Sequence, residues 1–153
     1  FTKDLKPIDF HRESLNSKNN SLKKAYNLWI PLMNCKKSNA MKYYPQSHKL
    51  IQNKDFKIMH YDTKVKKLSK EHKLGYLYRE RKIVFKKSIK SERLYEKNSI
   101  IIFSGELIHG NGQNLSKKIR FSIDLRFMKK KDMKNNDIQG STGRKYFQII
   151  KNL

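Results

Sequence analysis

The chain has 153 residues, and its 36 Lys and Arg against 13 Asp and Glu give a formal net charge of +23 at pH 7. This length suits one domain with a substantial core, and the single cysteine, Cys35, excludes an internal disulfide. No apolar run is long enough for a membrane span, and the first residues lack the apolar core of a signal peptide. We therefore expect a protein of the reducing cytoplasm with no membrane partner.

Short strands dominate the elements predicted in chain order. Segments that alternate apolar with polar residues, or that form brief β-branched and aromatic runs, are typical of strands. They are Leu5–Glu13, Ala25–Met33, Ala40–Tyr44, Ile83–Phe85, Ile100–Phe103 and Arg120–Phe127. The polar residues 13–24 predict a loop, and residues 33–38 predict a turn. Glu92–Tyr95 is expected as a loop that approaches the next strand.

Two segments depart from the strand pattern. Residues 50–80 mix charges with a weak helical rhythm, which predicts a helical or irregular insertion between strands. Residues 129–153 form a basic tail, in which Tyr146–Ile150 is a small apolar element expected to pack on the core. The predicted organisation is therefore one core domain over residues 1–128, which contains the insertion, followed by the tail.

The excess of positive charge raises the question of a polyanionic partner. Basic residues occur in small groups along the whole chain, as in 64–67, 86–87 and 129–131, and do not form one stripe. No zinc-finger spacing or RNA-recognition motif accompanies them. The dispersion favours a general compositional bias over a nucleic-acid site, and an anionic small substrate is compatible with the positive field.

Two separated motifs carry the strongest chemical signal. His11 and Glu13 are two residues apart, and on a strand such residues point to the same face. His109 lies far along the chain, after an apolar strand. Two imidazoles and one carboxylate form the ligand set of non-haem Fe(II) sites, which keep positions open for a co-substrate and O2. If these three side chains meet in space, the sequence predicts an iron centre.

The last predicted strand has one polar face. Arg120, Ser122, Asp124 and Arg126 alternate with bulky apolar residues. A guanidinium binds carboxylates through a planar fork of donors, so Arg120 is a candidate anchor for a keto acid, and Ser122 could add a hydroxyl bond. In a two-layered β fold the polar face lines the cavity, and the apolar face meets the second layer or an outer helix.

Together these segments resemble the Fe(II)/2-oxoglutarate-dependent dioxygenases, and within them the phytanoyl-CoA dioxygenase-like group. Residues 27–50 are similar to that group's two strands and its PGSHK block, which here reads PQSHK at Pro45–Lys49. Residues 98–114, NSIIIFSGELIHGNGQN, are similar to its distal histidine block, with Asn98-Ser99 in place of the usual Gly-Asp. Arg120-Phe121-Ser122 resembles the R-x-S signature of related oxygenases.

The resemblance implies a mainly β, double-stranded β-helix fold (a cupin-like jelly roll). It makes His11, Glu13 and His109 the ligands of Fe(II) and Arg120 the anchor of 2-oxoglutarate. Ser122, on the same strand face as Arg120, is a further candidate for contact with 2-oxoglutarate. Asn27 or Trp29 is a candidate for contact with 2-oxoglutarate or with the substrate. Glu13 stands where the group usually has Asp. The implied reaction decarboxylates 2-oxoglutarate to succinate and CO2 and hydroxylates a small molecule, for which we favour a carbohydrate or secondary-metabolite type.

Two alternatives stay open at this point. One is a non-catalytic basic β-sandwich that binds nucleic acid or another polyanion. The other is an inactive oxygenase fragment, because His11 lies near the start of a chain without an initiator Met, and relatives carry a first barrel strand and a support region before this motif. Iron-dependent succinate formation separates the enzyme from both alternatives.

Overall fold

A computed structural model of the chain describes residues 10–16, 21–60, 81–96 and 98–132. Within these ranges the protein consists of antiparallel strands and short 3₁₀ helices, so the predicted mainly β, jelly-roll fold is confirmed. None of the helices in the described ranges is long and apolar enough to cross a membrane.

The described strands are short and form three small sheets. Their bounds are β1 Tyr26–Met33, β2 Met41–Tyr43, β3 Phe56–His60, β4 Arg81–Phe85, β5 Glu92–Leu94, β6 Ile101–Ser104, β7 His109–Gly110 and β8 Phe121–Phe127. The strand orders are β6-β1-β8, β5-β2-β7 and β3-β4. The 3₁₀ helices are Glu13–Asn16, Ser21–Lys24, Ser47–Lys49 and Lys130–Asp132.

The register of β1 against β8 determines which side chains face inward. Asn27 lies opposite Arg126, and Trp29 lies opposite Asp124, whereas Tyr26 lies opposite Phe127 on the other face. Because side chains alternate along a strand, the polar residues of β8 share the inner face with Asn27 and Trp29. The candidate site is built on this inner face.

A small apolar core joins the two three-stranded sheets. Its buried members come from both sheets and from the turn after β6, and they are Trp29, Ala40, Met41, Phe103 and Leu107. Full burial of one such large side chain contributes about 1.5–3 kcal/mol. This cluster therefore holds the sheet that carries Asn27 and Arg126 against the sheet that carries His109.

The outer face of the β6-β1-β8 sheet is apolar and open. Ile102, Leu125 and Phe127 are 60%, 52% and 45% exposed, which is unusual for three neighbouring large apolar side chains. The sequence predicts a second layer or an outer helix over this face. No such cover is present in the part of the chain that the structure describes.

The structure corrects several predicted elements. Within Leu5–Glu13, His11 forms only an isolated bridge and Glu13 begins a 3₁₀ helix, so the strand prediction is wrong for residues 10–13. The physical reason is that the Glu13 N–H donates to the Gly105 carbonyl oxygen at 2.9 Å, which turns the chain away from a ladder. Residues 5–9 lie outside the described ranges.

Further differences concern residues 13–24, β3 and β5. The predicted loop over residues 13–24 contains the 3₁₀ helices Glu13–Asn16 and Ser21–Lys24. Part of the predicted insertion forms β3, which pairs with β4, and the predicted approach loop contains β5. The alternation of Phe56 and Ile58 with Lys57 and Met59 is a strand pattern that the charged residues around it obscured. Residues 61–80, and the tail beyond Asp132 with its predicted packing element, lie outside the described ranges.

Candidate metal centre

Backbone pairing brings together the two histidines, which lie far apart in the sequence. The His11 N–H donates to the His109 carbonyl oxygen at 2.8 Å, and the His109 N–H donates back to the His11 carbonyl oxygen at 3.0 Å. Their ring centroids are 4.5 Å apart. This reciprocal bridge fixes the relative position of the two imidazoles without any contribution from a bound group.

Glu13 completes the cluster. Its Oε1 lies 3.7 Å from His11 Nε2 and 3.6 Å from His109 Nε2. One potential ligand atom from each of the three residues lies within 4.8 Å of the others. The three side chains singled out from the sequence therefore converge, although the strand geometry expected for His11 and Glu13 is absent.

A hydrogen bond sets the tautomer of His109. Its Nδ1 lies 2.8 Å from the Leu107 carbonyl oxygen, and because a carbonyl only accepts, Nδ1 carries the proton. In the neutral imidazole, which is the form that binds a metal, the lone pair is then on Nε2, and this nitrogen faces Glu13. The ring of Phe103 packs edge-on against the imidazole at 4.8 Å, which further restricts its orientation. A hydrogen bond from Nδ1 to a backbone carbonyl oxygen, such as the one to Leu107, is typical of metal-ligating histidines.

Glu13 is buried and charged. Burial is the largest influence on its carboxyl and by itself raises the pKa, but contacts with His109 and His11 and the charge of Arg126 outweigh it. The pKa of Glu13 is therefore well below its usual value. A carboxylate that is ionised at neutral pH is the form that coordinates a cation.

The donor set fits Fe(II). Two imidazole nitrogens and one carboxylate oxygen on one side of a site match the two-histidine, one-carboxylate triad, whose ligand types suit a borderline-hard divalent metal. The His109 tautomer and the ionised Glu13 both present the atoms that a metal requires. His11, Glu13 and His109 could therefore hold such an ion.

Comparison with known families agrees with this geometry. The family profile described as phytanoyl-CoA dioxygenase (PhyH) matches residues 6–122, which is more than half of the chain. The chain belongs to the phytanoyl-CoA dioxygenase family. The resemblance drawn from the sequence is thus confirmed, and the family implies a dioxygenase-type enzyme that acts on a small molecule. No curated protein matches the chain in a sequence search.

Two further residues of this phytanoyl-CoA dioxygenase-family protein, Arg126 and Asn27, contact the candidate ligand Glu13. Arg126 Nη2 lies 2.5 Å from Glu13 Oε2, and Asn27 Nδ2 donates to Glu13 Oε1 at 3.1 Å. Arg126 Nε also donates to Asn27 Oδ1 at 3.2 Å. Sequence reasoning placed Arg126 on the polar face of its strand but missed these contacts, because they depend on the register between β1 and β8.

Arg12, between the two ligands of the first motif, anchors that motif to the loop after β2. It is 5% exposed, and its guanidinium donates to the carbonyl oxygens of Ser47 and, at 2.7 Å, Leu50. It also pairs with Glu106 at 3.5 Å and lies over the Phe56 ring, 4.7 Å from its centroid. Burial lowers the pKa of Arg12, although Glu106 opposes this effect. The sequence predicts only that the Arg12 side chain points away from the face shared by His11 and Glu13. Its anchoring contacts are with residues far along the chain, so they could not be predicted from the motif alone.

The residues predicted to contact 2-oxoglutarate occupy different surroundings. Arg120 is half-buried just before β8, and its Nη1 donates to the carbonyl oxygens of Asn39 and, at 3.5 Å, Gly112. Ser122 is half-buried opposite Pro31, on the inner face. Trp29 is 3% exposed and belongs to the apolar core. Their contact with a co-substrate stays a prediction.

Proposed function

We propose that the protein is an Fe(II)- and 2-oxoglutarate-dependent oxygenase that hydroxylates a small molecule. The observation that carries this proposal is the convergence of His11, Glu13 and His109, with ligand atoms within 4.8 Å of one another. Membership of the phytanoyl-CoA dioxygenase family supports the same reaction class.

The three converging side chains would hold the iron. When bound, iron supplies the O2 activation that couples 2-oxoglutarate decarboxylation to substrate oxidation. The chain itself orients the ligands: Leu107 fixes the His109 ring, and the backbone bridge fixes His11 relative to it. Ionised Glu13 offsets part of the charge of a divalent cation in a largely water-excluded position.

Arg120 would hold the distal carboxylate of 2-oxoglutarate. Its Nη1 is fixed by backbone carbonyls, and within the described residues its guanidinium forms no ion pair. A half-buried positive charge without a carboxylate partner favours the binding of an anion, and a guanidinium suits a carboxylate. Ser122, on the same strand face, would add a hydroxyl bond, and Trp29 would form an apolar wall.

The substrate is proposed by class only. The net charge of +23 attracts anions, so an anionic carbohydrate or secondary metabolite fits better than a cationic substrate. A cytoplasmic setting stays a prediction that rests on the single cysteine.

The test measures succinate formed from 2-oxoglutarate in the presence of Fe(II), together with binding of 2-oxoglutarate to the metal-loaded protein. We expect both His109→Ala and Arg120→Ala to abolish succinate formation. Arg120→Ala should weaken 2-oxoglutarate binding and leave metal binding intact, whereas His109→Ala should lose the metal. His48→Ala is the matched control, because His48 is exposed and lies outside the cluster. Absence of turnover combined with salt-sensitive nucleic-acid binding would instead favour a basic binding protein.

A further inference from the structure

The two oxygens of Glu13 face different partners. Oε1 faces Nε2 of both histidines, whereas Oε2 is in contact with Arg126 Nη2 at 2.5 Å. The Glu13 side chain is 4% exposed, so water has little access to either oxygen. A carboxylate can coordinate a metal through one oxygen or through both. Here only Oε1 faces the other two candidate ligands, which favours coordination through one oxygen.

Asn27 forms hydrogen bonds with both Glu13 and Arg126. It is fully buried, its amide nitrogen donates to Glu13 Oε1, and its amide oxygen accepts from Arg126 Nε. Asn27 and Arg126 lie directly opposite each other in the β1–β8 register. A charge-assisted bond from a planar guanidinium that is itself fixed by a neighbour restricts the carboxylate in position and in rotation.

We propose that Arg126, oriented by Asn27, is a positioning residue. It holds Glu13 Oε2, so that only Oε1 is in a position to coordinate the metal. This inference rests on the proposed iron site. If His11, Glu13 and His109 each give a bound metal one ligand atom, the remaining positions stay open for a co-substrate and O2. Coordination through both oxygens of Glu13 would fill one of them. Glutamate has one more rotatable bond than aspartate, so it has a greater need of such a restraint.

The first experiment uses Mn(II) as the probe, in the full chain without iron. We compare the wild type with Arg126→Met, Arg126→Lys and the control Arg93→Met. Arg93 is exposed, and its guanidinium donates to the Ser38 carbonyl oxygen at 2.6 Å, away from the cluster of His11, Glu13 and His109. Electron paramagnetic resonance of free Mn(II) gives the affinity, and water-proton relaxation gives the number of exchangeable waters on the bound ion. Substitutions of groups that orient metal ligands typically weaken affinity 10- to 100-fold.

The expected pattern is specific to a positioning role. Arg126→Met should weaken Mn(II) binding about tenfold and remove about one exchangeable water from the bound ion, and Arg126→Lys should restore part of both quantities. Arg93→Met should match the wild type. Unchanged affinity and unchanged water number in Arg126→Met would overturn the inference. Failure of the wild type itself to bind Mn(II), or binding that survives His109→Ala, would instead overturn the proposed metal site.

A second measurement does not depend on the folding of any variant. In a crystal structure of the wild-type chain with Mn(II), Glu13 should coordinate through Oε1 alone, with Oε2 still on Arg126. Coordination through both oxygens, or through Oε2, would refute the positioning role even if the metal site is real.

Discussion

The Ser47 hydroxyl oxygen accepts a hydrogen bond from the backbone N–H of Ile108 at 2.8 Å, and both residues are 0% exposed. Ile108 immediately precedes the candidate ligand His109, and the Ser47 carbonyl oxygen accepts from Arg12, which lies between the other two candidate ligands. The serine of the PQSHK block therefore contacts both ligand-bearing segments through their neighbours. This explains why a block without any metal ligand lies beside the site.

Ser47→Ala should destabilise the fold and weaken metal binding together. The substitution leaves the buried Ile108 N–H without its acceptor, which costs about 1–3 kcal/mol. Urea denaturation of the metal-free protein measures the loss in free energy of unfolding. Ser88→Ala, at an exposed position, should change it by less than about 0.5 kcal/mol. An equal change in the free energy of unfolding for the two substitutions would show that the Ser47–Ile108 hydrogen bond does not contribute measurably to stability.

Gln46→Gly should stabilise the protein. Gln46 has φ 56° and ψ 8°, a left-handed conformation that costs a residue with a Cβ about 1–2 kcal/mol. Glycine adopts it freely, but its larger entropy in the unfolded chain offsets part of the gain, so we expect a net increase of about 0.5–1 kcal/mol in the free energy of unfolding.

The control for that prediction is Gln113→Gly. Gln113 is exposed, and it is not among the non-glycine residues with positive φ. Glycine there should only increase the entropy of the unfolded chain and destabilise by about 0.5–1 kcal/mol. The two substitutions should thus have opposite signs in the same denaturation assay, and a shared sign would contradict the strain argument.

These left-handed residues show how far the sequence could predict the structure. The phytanoyl-CoA dioxygenase-like group usually has glycine where this chain has Gln46 and Asn98. Both residues have left-handed backbone conformations in the structure, with φ 56° and 61°. Both positions therefore have a backbone conformation that glycine adopts without a steric penalty. Asn is a tolerated residue in this conformation and Gln is less so, which makes Gln46 the better candidate for measurable strain.

Strand positions followed from local patterns, whereas contacts across strands did not. Predicted Ala25–Met33 and Arg120–Phe127 each agree with β1 and β8 to within one residue at either end, because alternation is a local signal. The pairing of Asn27 with Arg126, and so the contact with Glu13, requires the register between two distant strands. No local pattern encodes that register, so sequence reasoning found the candidate ligands and missed the residues that orient them.

Gly112→Ala should weaken 2-oxoglutarate binding more than it weakens metal binding. A Cβ at this position would lie 2.1 Å from the Ala40 carbonyl oxygen and 2.9 Å from the Asn39 carbonyl oxygen, so the backbone there must move. The Asn39 and Gly112 carbonyls are the acceptors of Arg120 Nη1, the proposed carboxylate anchor. Calorimetric titration of 2-oxoglutarate into the Mn(II)-loaded protein measures the effect.

The matched control for that substitution is Gln113→Ala, one residue further on and exposed. It should retain wild-type affinity for 2-oxoglutarate. Overpacking typically costs 1–3 kcal/mol, so the Gly112→Ala protein should fold with reduced stability. Wild-type 2-oxoglutarate affinity in a folded Gly112→Ala protein would argue against Arg120 as the anchor.

The ionisation of Glu13 should be visible in the pH dependence of stability. Its pKa in the folded protein is well below the usual 4.5, so between these two values the unfolded chain binds more protons than the folded one. The stabilisation is therefore complete above about pH 4.5 and is lost as the pH falls toward the folded-state pKa. Glu13→Gln, which cannot ionise, lacks this contribution at every pH.

Denaturation of both proteins over a pH series, with a chelator present, measures the difference directly. The wild type should be the more stable of the two at pH 7, and the gap should narrow as the pH falls below about 4.5. Carboxyl groups remote from Glu13 titrate equally in both proteins and cancel in the difference. Asp124 is the exception, because burial and then the charge of Glu13 raise its pKa, and the second of these effects is absent from Glu13→Gln. A gap that stays constant down to acid pH would mean that Glu13 stabilises the fold through packing alone and that its charge is not what Arg126 and the two histidines hold in place.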